Sequence, residues 1–250
     1  MSWVIETEKL GVSFQTRQGT VEALQDINLK VEPGQVFGFI GPNGAGKTTT
    51  MHVLLGFITP TTGSARLLGT DVRLPLARQH IGFLPEHPDT YRFLSGRELL
   101  QFTGRLFGIR GRDLRRRIDS MLEEVDMTAT ADRRISTYSR GMLQRICLAQ
   151  ALINDPDLVI LDEPTGGLDP IGRQQIRAMI AGLRSRGKTV FFSSHELSEV
   201  ELVCDSMAIL VGGRVVVQGK LADVVKPGQR LESYFMDVVR SRAPAGATHA

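Results

Sequence analysis

The sequence predicts an α/β protein built on a mainly parallel β-sheet, with an antiparallel β region at its N-terminus and a helical block inserted in its middle. Three observations predict this. Short apolar runs ("QVFGFIG", "DLVILDE", "KTVFFSS", "SMAILVGG") alternate with helical stretches, and strands that are apolar throughout belong to sheets covered on both faces. The opening third instead shows rough apolar–polar alternation over "VIETEKLGVSF" and "VEALQDINLKV", the pattern of half-buried strands. From about Pro88 to Asp155 the spacing becomes helical.

Each element follows in order. "QVFGFIG" is a strand ending in glycine, and a helix follows from Lys47 to about Gly56. "SARLLG" and "HIGFLP" are further short strands. Ser95 with Glu98 three residues on makes a capping box, opening a helix over "RELLQFTGRLFG". "RDLRRRIDSMLEEVDM" and "RGMLQRICLAQALIN" complete the helical block. Strand and helix then alternate through "DLVILDE", "IGRQQIRAMIAGLRSRG", "KTVFFSS", "ELSEVELVC", "SMAILVGG" and "RVVVQG". Residues 1–225 read as one domain. Residues 226–250 add a short helix around "LESYFMDVV" and a tail, "RAPAGATHA", whose small polar composition predicts disorder.

The chain has 250 residues, 42% hydrophobic and 23% charged, so it has the means to bury a core. A net charge of +3 gives no reason to expect nucleic acid, because basic binders concentrate charge on one face. The local cluster Arg112 to Arg117 has two readings, an interaction patch or a solvated helix face, and the second is the simpler. Cys147 and Cys204 lie in or near apolar stretches and read as buried free thiols in a reducing compartment. The N-terminus lacks the basic-then-apolar pattern of a leader peptide. No apolar run approaches the roughly 20 residues needed to span a bilayer, so work at a membrane requires another chain to cross it.

The chemistry begins at "GPNGAGKTT". Gly41, Pro42, Asn43, Gly44, Ala45, Gly46, Lys47 and Thr48 form G-x-x-x-x-G-K-T, directly after a strand and opening a helix. The glycines let backbone N–H groups turn inward as a nest for phosphate oxygens, and the helix adds the positive end of its dipole. Lys47 has the reach for the β- and γ-phosphates, and the Thr48 hydroxyl suits Mg²⁺. A Gly-rich turn with a solvated lysine is the bland alternative, and the strand–loop–helix setting argues against it. The fold is therefore expected to be a P-loop NTPase core.

Asp162 and Glu163 close the apolar strand "DLVILDE". Ligands of parallel sheets gather at the carboxyl ends of strands. Neighbouring strand residues face opposite ways, so the two acids are expected to do different work: Asp162 in the Mg²⁺ shell, Glu163 polarising a water for attack on the γ-phosphate. The bland alternative is two acids where solvent begins. His195 follows "KTVFFSS" and reaches the same kind of edge, where it suits the γ-phosphate and the attacking water. A lone strand-end histidine is more often structural, and here its setting favours function.

Taken together, residues 3 to 225 strongly resemble the ATP-binding subunit of an ABC transporter. "GPNGAGKTT", through Thr49, resembles the Walker A loop, and "LVILDE" the Walker B strand with its catalytic glutamate. "GGLDP", Gly166 to Pro170, is similar to the D-loop, with Asp169 as its acid. His195 matches the switch histidine, and Phe14 the aromatic position that stacks on adenine. "YSRGMLQR" resembles the family signature, usually L-S-G-G-Q. The resemblance implies two subunits dimerising head-to-tail around two ATP molecules, with Ser139, Arg140, Gly141 and Asp169 acting on the ATP of the other copy. It also implies ATP and Mg²⁺ as cofactors and a polytopic membrane permease as partner. The pairing is expected to be a homodimer of this chain at the cytoplasmic face of a bacterial cell membrane, with no nucleic acid involved.

Three departures stand in the signature: Tyr138 for Leu, Arg140 for the first Gly, and Met142 for Gln. A fourth is Glu86 in "IGFLPEHP", where the family usually has Gln; a carboxylate there keeps an oxygen for Mg²⁺ or water and adds a negative charge near the triphosphate. These features and the C-terminal segment resemble the export-type branch. The leading expectation is thus an ATPase that powers a separate exporter permease. The alternatives are a soluble ABC-type ATPase acting on DNA or ribosomes, and a nucleotide sensor without hydrolysis. The absence of long insertions or a second ATPase domain weighs against the former, and the set Lys47, Asp162, Glu163 and His195 against the latter.

Overall fold

The computed structural model describes residues 3–17, 19–226 and 228–242, and the expected disordered tail lies largely outside them. The chain divides into two compact units, residues 1–79 with 191–250, and residues 80–190.

The first unit holds an antiparallel sheet of β1 (Ile5–Thr16), β2 (Gly19–Val31), β4 (Thr62–Leu67) and β5 (Thr70–Asp71), in the order β2-β1-β4-β5. The rough alternation of β1 has a physical cause. Its register with β2 shifts between Thr7 and Leu10, where Lys9 takes φ 48°. Around the bulge, Ile5, Leu10 and Val12 still reach the core.

The same unit contains β3 (Val36–Ile40), β9 (Ser206–Val211) and β10 (Arg214–Lys220), and from Phe191 onward β8 (Thr189–Ser194). β3 pairs parallel with β9, and β10 pairs antiparallel with β9. All five residues of β3 are buried, which is why no alternation shows in "VFGFI". Phe37 and Phe39 pack on Phe191 of β8, with ring centroids 5.7 and 5.3 Å apart. The described residues of this unit also form the α-helices α1 (Lys47–Leu54), α6 (Leu197–Val203), α7 (Leu221–Val224) and α8 (Leu231–Arg242). The α1 helix stops two residues before the expected end. Gly56 takes φ +71°, the left-handed conformation that ends a helix, and Phe57 N donates back to His52 O at 2.8 Å. α7 was not legible in advance; α8 matches the expected C-terminal helix, with Leu231 buried and its N–H donating to the Glu201 carboxylate.

The second unit holds β6 (Ile81–Leu84) and β7 (Leu158–Leu161), paired in parallel, with α2 (Gly96–Leu106), α3 (Gly111–Glu124), α4 (Arg140–Leu152) and α5 (Pro170–Ser185). The capping box is present. Ser95 Oγ accepts from Glu98 N at 3.2 Å and Ser95 N donates to the Glu98 carboxylate at 2.8 Å, stabilising α2 by about 1 kcal/mol. Leu99, Leu100, Leu114, Ile118 and Leu122 are the core faces of α2 and α3. The basic cluster is not one uniform patch. Arg116 pairs with Asp113, and Arg117 Nη1 donates to Ile153 O at 3.2 Å. Cys147 is buried on α4, where burial pushes its thiol up to about 12, and Cys204 is raised for the same reason; both are free. Among the described residues, no helix is long and apolar enough to cross a membrane.

Candidate functional site

In the first unit the strand β3 ends at Ile40 and α1 begins at Lys47, so residues 41–46 form the loop between them. Its shape depends on glycine at three points, one of them Gly44 with φ 77°. A Cβ at Gly41 would stand 2.3 Å from Leu210 O, and Gly46, the N-cap of α1, takes φ 107°. Lys47 is only 8% exposed and lies back along the loop. Its ammonium donates to Gly41 O at 2.7 Å and Pro42 O at 3.4 Å. Thr50 Oγ1 donates to Gly46 O at 2.9 Å and ties the first helical turn. Asn43, Gly44 and Thr48 are exposed, Pro42 and Thr49 are partly so, and Ala45 is buried. The arrangement is a cradle of backbone N–H groups at a helix N-terminus, with a cation folded into it.

Phe14 and His195 stand on other elements of this unit. Phe14 lies on β1 opposite Val21, with 40% of its surface open, so one side of its ring is accessible for stacking. His195 is exposed directly after β8, and Ser194 Oγ accepts from Glu196 N at 3.0 Å to shape the turn.

In the second unit both acids lie beyond the end of β7, which closes at Leu161. The expected strand alternation therefore does not separate them; the loop does. Asp162 N donates to Leu84 O at 2.8 Å, and Glu163 takes φ 47°, a left-handed conformation that costs a non-glycine residue on the order of 1 kcal/mol. They are 4% and 8% exposed, which removes the reading of two acids where solvent begins. Gly166 N then donates to Glu163 O at 3.0 Å, closing a turn.

The signature segment sits at the start of α4. Ser139 is exposed and is the N-cap, its Oγ accepting from Met142 N at 3.3 Å. Tyr138, where the family has leucine, donates from its hydroxyl to Thr130 O at 2.8 Å, and partial burial raises its pKa. Arg140 is the first helical residue and exposed, its backbone helical as expected. Apart from its chain neighbours and its own helical backbone, no atom of the described residues lies within 4 Å of where a Gly141 Cβ would be. Asp169 caps α5, its Oδ1 accepting from Gly172 N at 2.7 Å. Glu86 is exposed, 3.8 Å from His87 Nε2.

One residue of this unit escaped sequence reasoning. Gln144, only 4% exposed, donates from Nε2 to Pro164 O at 3.0 Å, joining α4 to the loop of the acids. The available signal was a polar residue on the apolar face of a helix, four positions after Arg140.

The antiparallel sheet, the parallel β3–β9 and β6–β7 pairs and the loop at 41–48 define a P-loop NTPase fold. Residues 24–166, over half of the chain, match the family described as ABC transporter, and the chain belongs to that family. An uncharacterized ABC transporter ATP-binding protein of Synechocystis sp. is 43% identical over 227 residues, covering 89% of this chain and 64% of the relative. Nod factor export ATP-binding protein I of Cupriavidus metallidurans is 39% identical over 204 residues, covering 81% and 67%. This chain spans a little under two thirds of the length of the first of these. Among solved structures, an ATP binding subunit of an ABC transporter superposes with a TM-score of 0.84 at 27% identity, over 94% of this chain and 99% of that one. The cbiO1 protein of Clostridium perfringens, part of the ABC transporter complex cbiONQ, gives 0.81 at 27% identity, over 98% and 97%.

Proposed function

We propose that the chain is the ATP-hydrolysing subunit of a transporter, powering a separate membrane permease, and that two copies close head-to-tail on ATP. The observation that carries this is the buried acid pair Asp162–Glu163, held in a strained turn, in a chain that also builds the 41–48 phosphate loop. A buried pair of carboxylates has a high desolvation cost and is expected to have a charged partner. In this reading Gly41 to Thr49 hold the triphosphate, with Lys47 on the β- and γ-phosphates and Phe14 against adenine. Thr48, Asp162 and Glu86 offer the hard oxygen donors that Mg²⁺ prefers. When bound, that ion neutralises phosphate charge. Glu163 takes the proton of the attacking water, and His195 orients the γ-phosphate.

Ser139, Arg140, Gly141 and Asp169 serve the ATP of the other copy. The open space at Gly141 supports this, because nothing in its own chain demands a glycine there. Export is supported by the family resemblance of Glu86 and Arg140 and by relatives named for Nod factor export. The place of work is then the cytoplasmic face of a bacterial membrane, reached through the permease.

The test is affinity purification of tagged protein from detergent-solubilised membranes. A polytopic membrane protein in stoichiometric amount is expected. Recovery of the chain alone, only from the soluble fraction, would contradict the transporter reading and leave the phosphate site standing.

A further inference from the structure

Arg140 occupies a place where the family has glycine, and its guanidinium has a definite seat. A Cβ built on Gly167 would stand 2.4 Å from Arg140 Cζ, 2.4 Å from Nη1 and 2.6 Å from Nη2. Three atoms at nearly equal range mean that the guanidinium plane lies over the Gly167 backbone. Gly167 takes φ +66°, so both its conformation and its missing side chain are needed for the contact. Four residues along the same face of α4, Gln144 donates to Pro164 O.

These two contacts bracket the loop that follows the acids. Glu163 sits in the left-handed region and persists there only if its surroundings hold it. Bonds that close the loop include Gly166 N to Glu163 O at 3.0 Å, Leu168 N to Thr165 O at 3.3 Å, and Arg173 Nε to Leu168 O at 3.0 Å. We propose that Arg140 is a positioning residue which, together with Gln144, clamps the 163–169 loop to the first turn of α4 and so sets the orientation of Glu163.

The two halves of the clamp differ. Gln144 is buried. Arg140 is exposed and, among the described residues, makes no hydrogen bond or ion pair, so its N–H donors remain available to an anion. Its neighbour Ser139 is the signature serine. A phosphate arriving beside Ser139 meets those N–H edges while the guanidinium face stays on Gly167, so the residue that holds the Glu163 loop also stands at the signature. This rests on the ATPase reading above.

Two measurements test it. The first is hydrogen exchange on the nucleotide-free full chain. Arg140→Ala is expected to raise exchange of the 166–168 amides about fivefold or more, a local opening that leaves the interior of α4 unchanged. Arg140→Lys should do the same, because an ammonium has no flat face to lay on Gly167. Unchanged exchange in Arg140→Ala overturns the clamp. The second is turnover. Arg140→Ala should lower kcat about tenfold through misplacement of Glu163, and any rise in KM for ATP from its place at the other copy's phosphate is read separately. In a Glu163→Gln background the same substitution should lower kcat no further, whereas multiplying effects on kcat would mean that Arg140 does not act through Glu163 and would overturn the proposal. If the unaltered chain releases no phosphate under any condition, the hydrolytic reading fails, and the exchange measurement still decides the clamp.

Discussion

Glu163→Gln is expected to cut steady-state phosphate release by about 10²- to 10⁴-fold, the contribution of a positioned general base, while ATP affinity stays within about threefold. The amide has the shape of the carboxyl group, so the buried site loses a proton acceptor and a charge without gaining a cavity. The turn closed by Gly166 N on Glu163 O uses the backbone and survives the change. Phosphate release together with binding of a fluorescent ATP analogue checks both halves. Undiminished release in the variant would remove Glu163 from the role of base. A parallel loss of ATP binding would instead show that the acid matters for holding the nucleotide.

Lys47→Ala should weaken ATP binding by about 10- to 100-fold, the worth of one hydrogen bond from a charged donor in a screened site. Lys47 is nearly buried, and its ammonium is already held at 2.7 Å from Gly41 O. That contact places the charge at the loop before any nucleotide arrives, so little entropy is lost in recruiting it. The alanine variant loses the cation and also the bond that braces the Gly41 carbonyl. Titration calorimetry with ATP and Mg²⁺ reads the affinity. Equal affinity in Lys47→Ala and the unaltered chain would mean that the 41–48 loop is a structural turn and not the phosphate cradle.

Much of this was legible in the sequence, for identifiable reasons. "VFGFI" and "LVIL" are apolar throughout because every side chain of β3 and β7 is buried. Ser95 and Glu98 announced α2 because a capping box is a local device whose partners are three residues apart. The phosphate loop was legible because its chemistry is carried by consecutive residues. Features set by contacts between distant residues were not. The seat of Arg140 depends on Gly167 lying where α4 begins. Positive φ at Glu163 and Lys9 left no mark in the sequence either, since neither residue type favours that conformation. Strand alternation misled at Asp162 and Glu163 because it applies only while the strand continues, and β7 stops one residue earlier. The roles in trans proposed for Ser139, Gly141 and Asp169 rest on family resemblance. Within their own chain, Ser139 and Asp169 are helix caps and Gly141 faces open space.

The most direct single measurement is the mass of the Glu163→Gln chain by light scattering, with and without ATP and Mg²⁺. The proposed function predicts a monomer that doubles its mass when ATP is added and stays doubled, because the slowed chemistry cannot reopen the pair. A monomer at saturating ATP would contradict a shared site, and the signature residues would then be caps of α4 and nothing more.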